Sequence, residues 1–208
     1  EMFGLDFENS KIVTCHIGNG ASVTAIKNGK SFDTSMGFTP LDGLVMGTRC
    51  GSVDASAITY IGENEGMSYA ELNAMMNKKS GVMGMTGLSS DMRDIDAAYD
   101  AGNEKAIVAR DMYYNRVKKF VGEYAAEMGG VDLVIFTGGV GENSADLRRY
   151  VCHNMEFMGI ALNDAVNDVT RGTNTIISTP ESKVKVAVIA TNEELVIATD
   201  TYNLTKNL

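Results

Sequence analysis

A histidine followed by a glycine-rich turn is the first feature of this sequence whose residue types could do chemistry. The segment HIGNGAS places His16 and Ile17 directly before the turn Gly18-Asn19-Gly20. Glycine takes positive φ easily and lets a ligand approach the backbone closely, so successive N–H groups of such a turn can point at one anion. An ordinary hairpin turn beside a surface histidine would contain the same residues. The segment alone leaves both interpretations open.

A second glycine-rich segment, Gly139-Val140-Gly141, follows the apolar run VDLVIFT at residues 131–137. It lacks the third glycine of a dinucleotide fingerprint, and the sequence contains no G-K-[ST] phosphate loop. By itself this pair of glycines gives only weak support for a nucleotide site. We predict that residues 138–143 form the exit loop of a buried strand.

Alternating and apolar runs predict the strands that would position these turns. The predicted strands are residues 12–17, 21–27, 31–35, 131–137 and 184–191. Asn28-Gly29 is typical of a two-residue hairpin and would join the second strand to the third. The segment MGFTPLDGLVMGTRC, residues 36–50, has no clean period and predicts an ordered loop, which is a candidate functional segment.

Helical periodicity and capping signals predict the remaining elements. The predicted helices are residues 54–63, 68–79, about 90–101, 104–128, 144–158 and a closing helix from Asn192. Ser68 with Glu71, and Thr191 with Glu194, have the spacing of capping boxes. A polar stretch precedes the last strand and contains Pro180.

This order of elements indicates an α/β layer fold. In such folds the ligand loops lie at the carboxyl ends of the strands. The turns after His16, Thr137 and Thr191 all have that position. We therefore expect them to converge on one crevice.

Composition and charge exclude several classes of protein. The chain has 208 residues with 44% hydrophobic and 22% charged residues, as in globular proteins of one domain or two small ones. Its formal net charge of -9 argues against a broad nucleic-acid surface. We predict no membrane span, because no run approaches about 20 apolar residues, and a cytoplasmic location, because the start resembles neither a signal nor a transit peptide. Cys15, Cys50 and Cys152 are widely spaced, which predicts reduced thiols.

Four segments, taken together and in order, closely resemble the carboxyl-terminal half of acetate kinase. They are CHIGNGAS at residues 15–22, DTSMGFTPLDGLVMGTRCG at 33–51, FTGGVGENS at 136–144 and TNEE at 191–194. The resemblance implies a ribonuclease H-like domain of the acetate and sugar kinase, heat-shock chaperone and actin superfamily, with a mixed sheet and flanking helices. It also implies that residues 1–208 are a carboxyl-terminal nucleotide-binding domain, and that the amino-terminal half lies outside this chain.

The resemblance assigns roles to residues at matching positions. His16 and Arg49 would be catalytic. His16 would contact the transferring phosphoryl group, and Arg49 would neutralise charge on that group or bind a carboxylate. Glu193 would be associated with Mg²⁺, or Mn²⁺ in its place. The nucleotide would bind to His16, Ile17, Gly18, Asn19, Gly20, Asp91, Met92, Arg93, Gly139, Val140, Gly141, Glu142 and Asn143. The residues alone also allow structural roles. His16 could simply form a hydrogen bond to a neighbouring loop, and Arg49 could belong to a surface ion pair. Asp91 could start a helix at Ser90, and Glu193 could interact with a helix end.

The implied activity is Mg-dependent, reversible transfer of the ATP γ-phosphoryl group to acetate, which gives acetyl phosphate and ADP. A propionate or butyrate kinase of the same family is an alternative, since acyl size is set partly in the other half. A non-catalytic ATP-binding switch of the actin or chaperone type is a second alternative, and pyrophosphate could replace ATP as donor. The family also implies a homodimer. The isolated chain is expected to bind nucleotide weakly and to be inactive.

Overall fold

One mixed sheet forms the centre of the protein. A computed structural model describes residues 2–206. The strands are β1 Lys11–Ile17, β2 Ala21–Lys27, β3 Lys30–Thr34, β4 Leu133–Thr137, β5 Thr175–Ile176 and β6 Lys185–Val188. Their order in the sheet is β3-β2-β1-β4-β6-β5. The five predicted strands are confirmed. The sixth strand, β5, lies in the polar stretch before the last strand and was not predicted.

The three central strands run parallel, and their carboxyl ends meet at one edge. β4 pairs in parallel with β1 on one side and with β6 on the other. His16 is the register partner of Thr137, and Phe136 is the partner of Val188. β2, β3 and β5 each run antiparallel to a neighbour. The three turns therefore leave the sheet at one edge, as predicted.

Helices form most of the remaining structure in residues 2–206, and the longest of them carries much of the core. They are α1 Ala55–Glu65, α2 Tyr69–Lys78, α3 Gly81–Thr86, α4 Met92–Asp100, α5 Glu104–Met128, α6 Gly138–Asn143, α7 Ala145–Cys152, α8 Asp164–Val169 and α9 Glu193–Thr205. α5 has the predicted bounds and packs against β1 and β2. Its buried side chains recur at helical spacing and cover apolar residues of those strands, including Val13, Cys15 and Val23.

Local turn and cap chemistry explains several element ends. Asn28 and Gly29 both have positive φ, 54° and 74°, which is the geometry of the predicted two-residue hairpin. Ser68 and Glu71 form the predicted capping box at the start of α2. Residues 36–50 contain no helix or strand, as predicted for an ordered loop.

Some predicted elements were wrong at the level of local detail. Residues 138–143 are the short helix α6 rather than a loop. The helix predicted for residues 144–158 ends at Cys152, and Asn154 beyond it has a left-handed backbone with φ 59°. α4 begins after Asp91, whose side chain caps it, and not after Ser90.

The start of the closing helix also differs from the prediction. The N-cap of α9 is Asn192, whose side chain accepts a hydrogen bond from the N–H of Leu195 at 3.1 Å. Thr191 and Glu194 therefore do not form the predicted capping box. The hydroxyl of Thr191 instead donates to Glu142, 49 residues earlier. A tertiary partner has replaced the local one.

The three cysteines are unpaired, as predicted. Cys15 and Cys152 are buried, and burial raises the pKa of Cys152 to about 12, which keeps its thiol protonated. In residues 2–206, every helix is too short or too polar to cross a membrane.

Candidate functional site

A cavity of about 590 Å³ lies where the β1 turn, the start of α4 and the segment after β4 meet. Its lining residues are Gly18, Asn19, Gly47, Ser90, Asp91, Met92, Arg93, Asp96, Tyr113, Gly139, Val140, Asn143 and Ser144. This volume falls within the range typical of sites for small molecules and cofactors. The structure thus brings together eight of the predicted site residues from three distant segments.

The turn after β1 is fixed from behind by the core helix. The N–H of Gly18 donates to the carbonyl of Gly20 at 3.1 Å, which closes the turn. The hydroxyl of Tyr113 donates to the carbonyl of Gly18 at 3.1 Å. Burial raises the pKa of Tyr113, so its hydroxyl remains a donor. Tyr113 is not among the predicted site residues, because its position on α5 indicates only a buried face.

The loop of residues 36–50 packs directly on the wall of the cavity. The N–H of Gly47 donates to the carbonyl of Asn19 at 3.2 Å. A Cβ atom on Gly47 would stand 2.0 Å from Asn19 Oδ1 and 2.9 Å from the carbonyl oxygen of Ser90. Glycine is therefore required at position 47 for the close contact between this loop and two walls of the cavity.

Arg49 lies beside the β1 turn but does not line the cavity. Its Nη1 atom donates to the carbonyl of Pro40 at 3.2 Å and stands 3.6 Å from the point where a Cβ on Gly20 would be. Across residues 2–206, no carboxylate lies within ion-pair distance of this guanidinium. The alternative of a surface ion pair for Arg49 therefore finds no support in the described residues.

The other predicted residues of the β1 and β4 segments are not among those that line the cavity. His16 is at the end of β1, where it is partly buried. The Ile17 side chain is fully buried in the core. Gly20 and Gly141 are also absent from the lining. Whether these residues contact a ligand remains a prediction.

Asp91 and Arg93 line the cavity and also stabilise the start of α4. The Asp91 side chain accepts the N–H of Arg93 at 2.9 Å and pairs with its guanidinium, with Nε at 3.0 Å from Oδ1. These hydrogen bonds from Arg93 lower the pKa of Asp91 to about 2. Asp91 is thus ionised at neutral pH. The same side chain caps α4 and lines the cavity.

Asp96 is a further cavity residue that sequence analysis missed. Its carboxylate lies 3.0 Å from Nε of Arg110 and accepts the hydroxyl of Tyr114 at 3.2 Å. Burial raises the pKa of Asp96. The guanidinium of Arg110 in turn stacks on Tyr99, with 3.9 Å from Cζ to the ring centroid. Two side chains, Arg110 and Tyr114, therefore contact a carboxylate in the wall of the cavity, and Tyr99 supports the first of them.

Gly138, the first residue of α6, lies in close contact with the end of β1. Its φ is 78°, and a Cβ atom there would stand 2.9 Å from the carbonyl oxygen of Ile17 and 3.1 Å from its nitrogen. Any other residue at this position would be strained, both by the left-handed backbone and by the close contact with Ile17. Gly138 consequently determines where the segment 139–143 leaves the sheet.

The carboxylate of Glu142 points into the protein. Its Oε1 atom accepts hydrogen bonds from the N–H of Gly138, the N–H of Thr191 and the hydroxyl of Thr191, each at 2.9 Å. The cavity is lined by Gly139, Val140 and Asn143 of the same helix, and not by Glu142. The prediction that Glu142 binds nucleotide stays untested.

A fully buried arginine supports α6 from the side away from the cavity. Arg148 donates to the carbonyls of Gly141 and Glu142, both at 2.9 Å, and to those of Asn167 and Thr170 at 3.0 and 2.9 Å. Its Nε donates to Asn167 Oδ1 at 2.7 Å. Burial lowers the pKa of Arg148 to about 10, so it remains charged at neutral pH. Its charge is therefore matched by carbonyl oxygens at the ends of α6 and α8.

Glu193 is the first residue of α9 and is exposed. The part of the chain that the structure describes contains no group of three or more His, Cys, Asp or Glu residues that could hold a metal ion. Mg²⁺ commonly binds through one or two carboxylates together with substrate phosphates and water. An exposed carboxylate at this edge of the sheet fits an ion whose other ligands come from a bound nucleotide.

Comparison with known proteins decides the family. A family model described as "Acetokinase family" matches residues 1–199. The chain belongs to this family. It is 56% identical to an acetate kinase of Bacteroides thetaiotaomicron over 99% of the chain and 52% of that relative. The chain therefore spans about half the length of the curated relatives it matches.

Solved structures agree with this assignment. The crystal structure of Porphyromonas gingivalis acetate kinase superimposes with a TM-score of 0.94 at 53% identity and covers 97% of this chain and 51% of its own. A propionate kinase from Francisella tularensis gives a TM-score of 0.84 at 41% identity, with 92% and 48% covered. The family resemblance and the predicted α/β class of the acetate and sugar kinase and actin superfamily are thereby confirmed.

Proposed function

We propose that residues 1–208 are the nucleotide-binding, carboxyl-terminal part of an acetate kinase. The complete enzyme would transfer the γ-phosphoryl group of ATP to acetate and back from acetyl phosphate to ADP. The observation that carries this proposal is the cavity shared by the β1 turn, the start of α4 and α6. Family membership supports the same reaction.

The side chains of this edge are suited to neutralising charge during phosphoryl transfer. An anionic carboxylate attacks an anionic phosphoryl group, so positioned donors supply most of the stabilisation. In this proposal the amides of the β1 turn and the ring of His16 bind phosphate oxygens. The guanidinium of Arg49, which has no acidic partner among the described residues, balances the charge of the transferring group.

We propose that Glu193 holds Mg²⁺, or Mn²⁺ in its place, together with the nucleotide phosphates. The ion would supply additional positive charge next to the phosphate oxygens. The ends of β4 and β6 are adjacent in the sheet. Glu193 follows β6 at the same edge of the sheet as the segment that would carry the phosphates.

The direct test is binding of ADP, measured by isothermal titration calorimetry in the presence of Mg²⁺. We expect one site per chain that is competed by ATP. Pyrophosphate is the alternative donor and provides a second titration. Failure of both nucleotides to bind, with pyrophosphate binding instead, would contradict ATP as the donor.

Acyl preference is tested by turnover of the full-length protein with acetate, propionate and butyrate. The similarity to a propionate kinase makes propionate the specific second candidate. We expect the highest kcat/KM with acetate. ATP hydrolysis without transfer to any of the three acids would favour the switch of the actin or chaperone type.

The proposal extends to assembly and location. We propose a cytoplasmic homodimer that uses no nucleic acid or membrane partner, and light scattering on the purified protein measures the oligomeric state. The isolated 208-residue chain is expected to bind nucleotide weakly and to form no acetyl phosphate. Acetyl phosphate formation by this chain alone would show that no other part of the protein is required.

Gly47→Ala is expected to weaken ADP binding by about tenfold or more. The new methyl group would overlap Asn19 Oδ1 and press on the carbonyl of Ser90, which belong to two walls of the cavity. Overpacking of this kind costs about 1–3 kcal/mol. Calorimetric titration with ADP measures the loss. Gly122→Ala is the control, since a Cβ there meets no atom within 4 Å; equal affinities for the two variants would contradict the prediction.

Glu193→Gln is expected to reduce the increase in ADP affinity that Mg²⁺ produces, while metal-free ADP binding is unchanged. The substitution removes the charge of the proposed ligand. Glu194→Gln is the matched control, because both carboxylates lie in the first turn of α9 and interact similarly with the helix dipole. Paired titrations with Mg²⁺ and with EDTA separate the two effects. Identical behaviour of the two variants would exclude Glu193 as the ligand.

A further inference from the structure

Glu142 occupies the point where the parallel strands β4 and β6 separate. The last backbone hydrogen bond between them runs from the N–H of Ile189 to the carbonyl of Phe136 at 3.0 Å. Beyond it, Oε1 of Glu142 takes over as the common acceptor for the N–H of Gly138 and for the N–H and hydroxyl of Thr191. One side-chain oxygen thus joins the two strand ends across the opening of the crevice.

The backbone of Glu142 is itself held firmly. Its carbonyl accepts from Nη1 of Arg148 at 2.9 Å and from the N–H of Gly172 at 3.3 Å. Glu142 is only 8% exposed, whereas the lining residues Gly139 and Asn143 are more accessible members of the same helix. The carboxylate of Glu142 therefore couples the position of α6 to the position of Thr191.

Thr191 lies two residues before α9, and Glu193 is the first residue of that helix. Among residues 192–206, the hydrogen bonds that the structure describes are local to the helix and its cap. No side chain of α9 is buried. Within the described residues, the two bonds from Thr191 to Glu142 are consequently the last tertiary hydrogen bonds before the helix begins.

We infer that Glu142 is a positioning residue, in place of the nucleotide contact that the family resemblance implies for it. Its carboxylate would hold Glu193 at a fixed distance from the nucleotide segment after β4, through Thr191 and without touching the nucleotide. The inference rests on the proposed function, in which Glu193 holds the metal ion of the metal–nucleotide complex. Groups that orient a metal-binding carboxylate typically change metal affinity by 10–100-fold when they are removed. Glu142 should therefore affect the metal-dependent part of ADP binding selectively.

The test is calorimetric titration of the protein with ADP, in Mg²⁺ and in EDTA. We expect Glu142→Ala to lose about tenfold of the Mg²⁺ enhancement of ADP affinity, with metal-free ADP binding close to that of the unmodified protein. Glu142→Gln keeps an oxygen for the same three donors and should retain most of the enhancement. Loss of metal-free binding to the same extent, or equal damage from Gln and Ala, would overturn the inference in favour of direct ligand contact.

Thr191→Val keeps the inference testable if Glu142→Ala does not fold. It removes only the hydroxyl donor, so it should reduce the Mg²⁺ enhancement by a smaller factor. Where Glu142→Ala folds, Thr191→Val should add little in that background. Thr205→Val is the control, because that hydroxyl bonds only to the carbonyl of Thr201 within α9. An unchanged Mg²⁺ enhancement in both Glu142→Ala and Thr191→Val would overturn the inference. Failure of the unmodified protein to bind ADP would instead overturn the proposed function, and the inference with it.

Discussion

Replacing Arg148 by methionine is expected to lower the free energy of unfolding by about 3 kcal/mol or more. Methionine fills part of the volume but donates no hydrogen bond, which leaves several buried acceptors without a partner. These are the carbonyls of Gly141, Glu142, Asn167 and Thr170 and the side-chain oxygen of Asn167. Each buried acceptor left unpaired costs about 1–3 kcal/mol, and partial entry of water reduces the sum. Denaturant unfolding followed by circular dichroism measures the change.

Arg149→Met is the matched control for this prediction. Arg149 is the next residue of the same helix, and its guanidinium pairs with Asp146, Asp164 and Asp168 at the surface. Such exposed ion pairs contribute at most about 1 kcal/mol each and weaken in salt. We expect Arg149→Met to be the milder change and the one whose effect depends on salt. Equal destabilisation by both substitutions would show that the buried carbonyls are satisfied without Arg148.

The elements that local patterns determine could be predicted from the sequence. The hairpin at Asn28-Gly29, the capping box of α2 and the bounds of α5 each depend on residues a few positions apart. Burial of most of residues 133–137 and 185–188 follows from their predominantly apolar character. The convergence of the turns follows from the rule for parallel strands, so the place of the site was predictable as well.

The features that were missed depend on partners far apart in the sequence. Tyr113 reaches Gly18 across 95 positions, and Thr191 reaches Glu142 across 49. GGVGEN contains three glycines, which argue against a helix, yet residues 138–143 form α6. The carbonyls of Gly141 and Glu142 at its end are satisfied by Arg148. Local propensity is therefore overridden here by a buried cation that no pattern within the segment reveals.

α6 borders the cavity on one side and is bonded to a buried arginine on the other. On one side Gly139, Val140 and Asn143 face the cavity, and on the other Arg148 fixes the carbonyl end of the helix. A six-residue helix has little stability of its own, because nucleation is costly and few backbone bonds repay it. Its geometry is therefore set by the groups at its two ends, Gly138 and Arg148. Substitutions at these ends should alter stability and ligand binding together.

Gly138→Ala is accordingly expected to lower the free energy of unfolding by about 2 to 5 kcal/mol and to abolish measurable ADP binding. A left-handed backbone costs a non-glycine residue about 1–2 kcal/mol, and φ at this position is 78°. The added Cβ would also stand 2.9 Å from the carbonyl oxygen of Ile17, which is backbone and cannot rotate away. Overpacking against a neighbour that cannot move costs about 1–3 kcal/mol more. Relief requires β4 to move from β1, which displaces α6 from the cavity.

The adjacent Gly139→Ala separates this effect from that of a methyl group as such. A Cβ on Gly139 meets no atom within 4 Å, and its φ lies outside the left-handed region. We therefore expect its free energy of unfolding to equal that of the unmodified protein within about 0.5 kcal/mol, as for substitutions that disturb no contact. Denaturant unfolding of both variants measures the difference. A Gly138→Ala protein as stable as Gly139→Ala would mean that the ends of β1 and β4 tolerate separation, and that Gly138 does not determine the position of α6.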